Sequence, residues 1–140
     1  MSGIQFWDAS ALIPLIFQEI HTPSALRAYE QGEKQLAWGW VAIETHATLY
    51  RRKAQPKHFG LLQTLLENID YMHLAPDAGD HPALVKLLEK HRLRSADAGH
   101  LFCLKRAGIL FPDLEFVCFD DELCRAAKKE SIRIFEKENK

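Results

Sequence analysis

Apolar positions in this chain switch repeatedly between short continuous runs and helical spacing. Ile4-Gln5-Phe6-Trp7 is a compact, mostly apolar run that predicts a buried strand. Spacing typical of a helix follows over Ser10–Phe17 and Pro23–Gln31, an extended segment over Gln35–Trp38, and a helix over Val41–Lys53. Lys57–Asn68 carries Leu61, Leu62, Leu65 and Leu66 on one helical face, Tyr71–Leu74 reads as a short edge strand, and Pro82–His91 as another helix. Ser95 is the expected N-cap of a helix running to Ala107, with Gly108 as its terminator. Phe116–Phe119 is the next buried strand, Asp121–Lys129 a helix, and Ile132–Phe135 the last strand. The charged tail Glu136–Lys140 is expected to fray. Strands alternating with helices in this way predict a three-layer α/β/α domain whose central sheet is mainly parallel.

Placed on that layout, four acids stand out: Asp8, Glu44, Asp97 and Asp120. Asp8 closes the first strand and Asp120 the run Phe116–Phe119, so both are expected at the carboxyl edge of the sheet, where open α/β sheets hold their ligands. Glu44 and Asp97 would reach the same place from neighbouring helices. Carboxylates gathered at one point repel and raise one another's pKa unless a cation neutralises them, and hard divalent cations such as Mg²⁺ or Mn²⁺ prefer oxygen ligands. Each aspartate also has a simpler reading: Asp8 and Asp120 or Asp121 as helix caps, Asp97 as a favourable first-turn charge. Glu44 has no such reading. It lies next to Ile43 and three residues before Ala47, where an ordinary amphipathic helix places an apolar side chain.

Composition narrows the field. The 140 residues, 47% hydrophobic and 26% charged, fit one domain spanning 1–140 with a real core. A formal net charge of -1 excludes a protein that coats nucleic acid by bulk charge, so any such contact must come from local patches. Cys103, Cys118 and Cys124 show neither CxxC nor zinc-ligand spacing and read as small core residues in a reducing compartment. The apolar run Ala11–Phe17 is broken by Pro14 and is too short to span a bilayer, so a cytoplasmic protein with no membrane contact is expected. Seven histidines include no HxxxH pair. His46 falls on a different helical face from Glu44, and His100, one turn after Asp97, reads as a satisfied helix histidine able to orient that carboxylate. Trp38 and Trp40 offer rings for base stacking or for packing, and Arg51, Arg52 and Lys53 form a basic patch about two turns from Glu44. Lys86, Lys90, Arg92 and Arg94 read as solvated helix faces.

Taken together, Asp8-Ala9-Ser10-Ala11-Leu12, the helical Glu44, Leu93-Arg94-Ser95-Ala96-Asp97-Ala98-Gly99-His100-Leu101 and Phe116-Val117-Cys118-Phe119-Asp120-Asp121-Glu122-Leu123 resemble the PIN domain family, specifically VapC-type toxins of toxin-antitoxin modules. The resemblance covers essentially the whole chain. It implies a metal-dependent endoribonuclease with Asp8, Glu44, Asp97 and Asp120 as the catalytic acids, Asp8, Asp97 and Asp120 as ligands of Mg²⁺ or Mn²⁺, and Ser10 supporting the first aspartate. It further implies an RNA substrate and a cognate antitoxin protein. Arg51, Arg52 and Lys53, with Trp38 or Trp40, are the expected RNA contacts, because a net charge near zero leaves affinity to local basic and aromatic side chains. The apolar face of Leu61, Leu62, Leu65 and Leu66 predicts either association, as a homodimer and with an antitoxin segment, or an equal role in the core. The fourth acid is Asp120 or the adjacent Asp121; Leu123, three residues after Asp120, matches the family pattern, which leaves Asp121 an outer support. Cys118 stands where the family often has Thr or Ser, and it gives weight to an alternative, a PIN-like binding or assembly module without activity. A phosphotransfer enzyme of the haloacid-dehalogenase type would need an acid at position 10, which is Ser10.

Overall fold

The computed structural model describes residues 3–71 and 73–136. Five parallel strands form one sheet in the order β3-β2-β1-β4-β5. They are β1 (Ile4–Trp7), β2 (Lys34–Leu36), β3 (Ile69–Asp70), β4 (Glu115–Val117) and β5 (Arg133–Ile134). The helices are α1 (Ala9–Ile16), α2 (Thr22–Gln31), α3 (Trp40–Arg51), α4 (Pro56–Glu67), α5 (His81–His91), α6 (Ser95–Leu110) and α7 (Asp121–Lys129), with a 3₁₀ turn at Ala78–Asp80.

Side chains of a strand point alternately to its two faces, and here both faces are apolar. Phe6 and Phe116 enter a core with Leu101, Leu104, Leu123 and Ala126 of α6 and α7. Trp7 and Val117, one residue further on, enter a second core with Ala11, Leu12, Ala28 and Val41 of α1, α2 and α3. A third cluster ties Leu62 of α4 to Ile13, Ile16 and Leu49. Helices α1 to α4 therefore cover one face and α5 to α7 the other, which is the expected three-layer arrangement. Along α4 the four leucines divide: Leu62 is fully buried, Leu65 and Leu66 pack at the edge of the core, and Leu61 remains half exposed.

Several boundaries differ from those read in the sequence, each for a local reason. Strand β2 ends at Leu36, not Trp38, because Trp38 leaves the ladder to lie on α6. The α6 residue beneath it is Gly99, where a Cβ would stand 2.5 Å from Trp38 Cζ3. Strand β4 ends at Val117, since the next amides are taken by side chains: Phe119 N–H donates to Ser10 Oγ and Asp120 N–H to Cys118 Sγ. Helix α6 has Arg94 at its N-cap, with no side-chain cap, so Ser95 is its first helical residue. It also runs through Gly108 to Leu110, because that glycine faces Leu114 and Ile132 at ordinary packing distance. The edge strand forms at Ile69–Asp70, in register with Gln35 and Leu36, two residues earlier than the expected start at Tyr71. Residue 72 of that segment and residues 137–140 of the tail lie outside the described residues.

Candidate active site

Strand β1 is flanked by β2 on one side and β4 on the other, so the chain reverses its winding between β1 and β4. At such a reversal the connections leave in opposite directions and open a crevice at the carboxyl edge. Asp8 follows β1 directly, and Asp120 follows β4 by three residues. A pocket of about 450 Å³ opens there, lined by Asp8, Ser10, Trp40, Glu44, Arg51, Arg94, Asp97 and Asp120.

Capping and pocket formation prove compatible. Asp8 is the N-cap of α1: its Oδ2 accepts the Ser10 amide at 3.2 Å and the Ser10 hydroxyl at 2.6 Å. Its backbone N–H donates to Val117 O at 3.0 Å, which locks β1 to β4 at the reversal. The other carboxylate oxygen, Oδ1, faces His100 Nε2 at 3.9 Å. Asp120 caps α7 through one oxygen, Oδ1, which accepts the amides of Glu122 and Leu123. Cys118 fills the space between these loops, its Sγ 3.6 Å from Asp8 Oδ2 and 3.5 Å from Ser10 Oγ. Its hydrogen bond with Cys124, then burial, then the Asp8 charge push its pKa up, so it stays a neutral thiol. Ser10, with its hydroxyl on Asp8 and the Phe119 amide, supplies the contact that Cys118 provides only weakly.

The electrostatics show convergence of the acids. Asp97, half-buried in the first turn of α6, has its carboxyl pushed up to about 6. Burial is the largest cause, followed by the charges of Asp8, Asp120 and Glu44, with His100 opposing. Glu44 on α3 meets a partner that spacing did not reveal: His100 Nε2 lies 2.5 Å from its Oε1. His100 has no exposed surface, and Trp38 packs edge-on against it at 5.0 Å. Burial disfavours its charged form, yet the hydrogen bond to Glu44 and the charges of Asp8, Glu44 and Asp97 outweigh that and raise its pKa. Its Nδ1 is buried with no hydrogen-bond partner among the described residues. The sequence reading paired His100 with Asp97 because both lie one turn apart on α6. The glutamate is 56 residues away along the chain, and only the fold brings it close.

The remaining expected residues fall at different depths. Trp40 is half exposed at the pocket wall and stacks on Trp38 at 6.0 Å, while Trp38 packs against the core. Arg51 lines the pocket and an adjoining groove with Thr48 and Arg52. Arg52 pairs with Glu19 at 2.5 Å and lies over Phe17. Lys53 takes a left-handed backbone (φ 52°) that ends α3 and does not line the pocket. Asp121 is exposed on the first turn of α7, outside the pocket lining. Arg94, read from the sequence as solvated, lines the pocket together with Arg51.

A divalent cation fits this donor set. Four carboxylates line or face one open pocket, and the charges of Asp8, Asp120 and Glu44 add to burial in raising the Asp97 carboxyl. Donor atoms of Asp8, Glu44 and His100 also lie within 4.8 Å of one another.

Among solved structures, VapC20 of Mycobacterium tuberculosis, a sarcin-ricin loop cleaving toxin, superposes with a TM-score of 0.73 at 17% sequence identity, over 96% of this chain and 99% of that one. The architecture is thus a PIN-like fold. No family model matches the sequence. No curated protein matches it either.

Proposed function

We propose that this chain is a divalent-metal-dependent endoribonuclease and the toxin of a toxin-antitoxin pair. The observation that carries the reading is the carboxylate pocket at the β1/β4 reversal, with Asp97 pushed up to about 6 by burial and by its acidic neighbours. Asp8, Asp97 and Asp120 would hold Mg²⁺ or Mn²⁺. When bound, the cation supplies Lewis-acid chemistry, neutralising phosphate charge and acidifying a water. Ser10 fixes Asp8 by donating to Oδ2, which leaves Oδ1 for the pocket. Glu44, held at Oε1 by His100, presents its second oxygen to orient the attacking water and accept its proton. Arg51 and Arg94, which both line the pocket, meet the phosphates of the bound strand, and Trp40 offers its half-exposed ring to an unstacked base.

The substrate in this reading is a looped, structured RNA, of the kind its structural neighbour cleaves, since a net charge of -1 leaves affinity to a few local contacts and exposed bases. An antitoxin segment and a second copy of the chain are the partners. Apolar residues at the surface of α3 and α4, among them Ile43, Tyr50 and Leu61, give them surface to cover. Among the described residues no helix is long and apolar enough to cross a membrane. The test is incubation of the protein with total cellular RNA and Mn²⁺. A few discrete cuts, lost in EDTA and in Asp8→Asn and Asp97→Asn, are expected. Uncut RNA with a well-folded, metal-loaded protein would instead favour a binding module.

A further inference from the structure

Beyond the carboxylate pocket, one cleft has a charge pattern that the fold itself does not use. It lies between the C-terminal end of α5 and the exposed side of α7, measures about 330 Å³, and is lined by Lys90, Arg92, Arg125, Lys129, Glu122 and Ala126, with His91 at its edge. Lys90 and His91 are held by Glu130 at 2.7 and 2.6 Å. Arg92, Arg125 and Lys129 are exposed and form no ion pair among the described residues. Glu122 is the single acid of the lining, and it pairs with none of them although it precedes Arg125 by three residues. Arg125 and Lys129 sit one helical turn apart, a like-charge arrangement that costs a few tenths of a kcal/mol. Arg92 occupies the C-cap of α5 in a left-handed conformation (φ 57°), a position that favours glycine. Three cations are thus displayed at some cost and without partners among the described residues.

We propose that this cleft is a second binding site for the RNA substrate, holding its phosphate backbone on Arg92, Arg125 and Lys129 as the strand leaves the carboxylate pocket past Arg94. The inference rests on the nuclease reading above for the identity of the ligand. Its geometry is that of a continuous track. The turn from Arg92 to Arg94 has one end in the cleft and the other in the carboxylate pocket. Helix α7 does the same, with Asp120 in the pocket and Arg125 and Lys129 in the cleft. From Asp120 to Lys129 the helix rises ~13.5 Å, at about 1.5 Å per residue. That matches roughly four phosphates of a stacked strand at about 3.4 Å each. The lining favours nucleic acid over a protein partner, because Ala126 is its only apolar residue, whereas protein interfaces centre on aromatic and aliphatic anchors. The apolar groove between α5 and α6, built on Leu87, Phe102 and Ile109, has the opposite character.

The test compares wild type with the double variant Arg125→Gln, Lys129→Gln, both substitutions being exposed on α7. A labelled RNA hairpin is titrated in EDTA, so that binding is read without cleavage. The variant is expected to bind about 10-fold more weakly, and the slope of log affinity against log salt should fall by about 1.4, at roughly 0.7 per single-strand phosphate contact. In Mn²⁺, KM for the hairpin should rise with kcat unchanged, and an oligonucleotide confined to the carboxylate pocket should be cut as by wild type. Wild-type affinity and slope in the variant would overturn the proposal. So would an equal loss in Lys57→Gln, Lys86→Gln, which removes the same charge elsewhere, or loss of binding to an acidic peptide with RNA binding intact. If wild type cleaves nothing while the variant still loses RNA affinity, the nuclease reading fails and the cleft stands. Normal cleavage with unaltered binding removes the cleft alone.

Discussion

At the scale of single residues, the pocket is governed by how Asp97 and Glu44 are held. The pKa of Asp97, about 6 in the fold against its ordinary 3.8, means that the native state retains a proton which the unfolded chain has already lost. Stability of the metal-free protein should therefore fall as pH rises from about 4 through 6 and stay flat above that. Solvent still reaches this half-buried group, so the effect is about 1 kcal/mol after screening. Asp97→Asn should remove the slope and stabilise the metal-free protein at pH 7 by that amount, measured by urea unfolding across pH. A variant that keeps the wild-type pH profile would show that Asp97 is not the group responsible. For His100, removal of the ring leaves Glu44 without its donor and opens a cavity beside Trp38. His100→Ala should cost about 3 kcal/mol of stability. On the proposed nuclease reading, ribonuclease activity should drop roughly 10- to 100-fold, the usual effect of removing an outer partner around a metal site. His100→Gln, which keeps a donor, should recover part of the activity, whereas equal loss in both variants would reduce the histidine to a packing role.

At the scale of elements, the layer made by α5, α6 and α7 is joined by one carboxylate. Glu130, just past α7, accepts Lys90 at 2.7 Å and His91 at 2.6 Å from α5 and Lys105 at 2.8 Å from α6. Hydrogen bonds from Lys105 and Lys90 lead the causes that lower its pKa to about 2. A depressed carboxylate contributes stability that is present above the unfolded value, here the ordinary 4.5, and is lost as pH falls toward 2. Glu130→Gln should thus cost roughly 2 kcal/mol at pH 7 and almost nothing near pH 2, as read by denaturant midpoints at the two pH values. A loss that is the same at both would mean that the bridge acts through shape and not through charge. The same bridge holds Lys90 within the fold, whereas Arg92, Arg125 and Lys129 form no ion pair among the described residues.

At the scale of the molecule, the pocket concentrates carboxylates at the reversal of the sheet, so the fold should be more stable with a cation than without one. A ligand that binds only the native state adds about 2.7 kcal/mol at 100 times its Kd. For a domain of 140 residues that corresponds to a rise in Tm of roughly 8 °C. Mn²⁺ should therefore raise the wild-type Tm, and Asp8→Asn and Asp97→Asn should start higher without metal and respond far less. A thermal shift identical in wild type and both variants would place the cation elsewhere.

Much of this was legible in the sequence. The strand at Ile4–Trp7 and the helices α3, α4 and α7 follow from local apolar period, and a parallel three-layer sheet follows from their alternation, because the rules of connection leave few other ways to bury both strand faces. Asp8 and Asp120 were placed by the same logic, since the residue after a buried parallel strand emerges at the ligand edge. What only the tertiary structure decided is every pairing between segments far apart in the chain. His100 meets Glu44 across 56 residues, Trp38 abandons its strand for the gap over Gly99, and Ser10 and Cys118 take the amides that would have lengthened β4. The basic run Arg51–Lys53 is divided by the end of α3, while Arg92 and Arg94, two residues apart, reach different cavities. Periodicity reports which face of an element is buried; it carries no information on which distant side chain comes to rest against that face, and the chemistry of the pocket depends on those meetings.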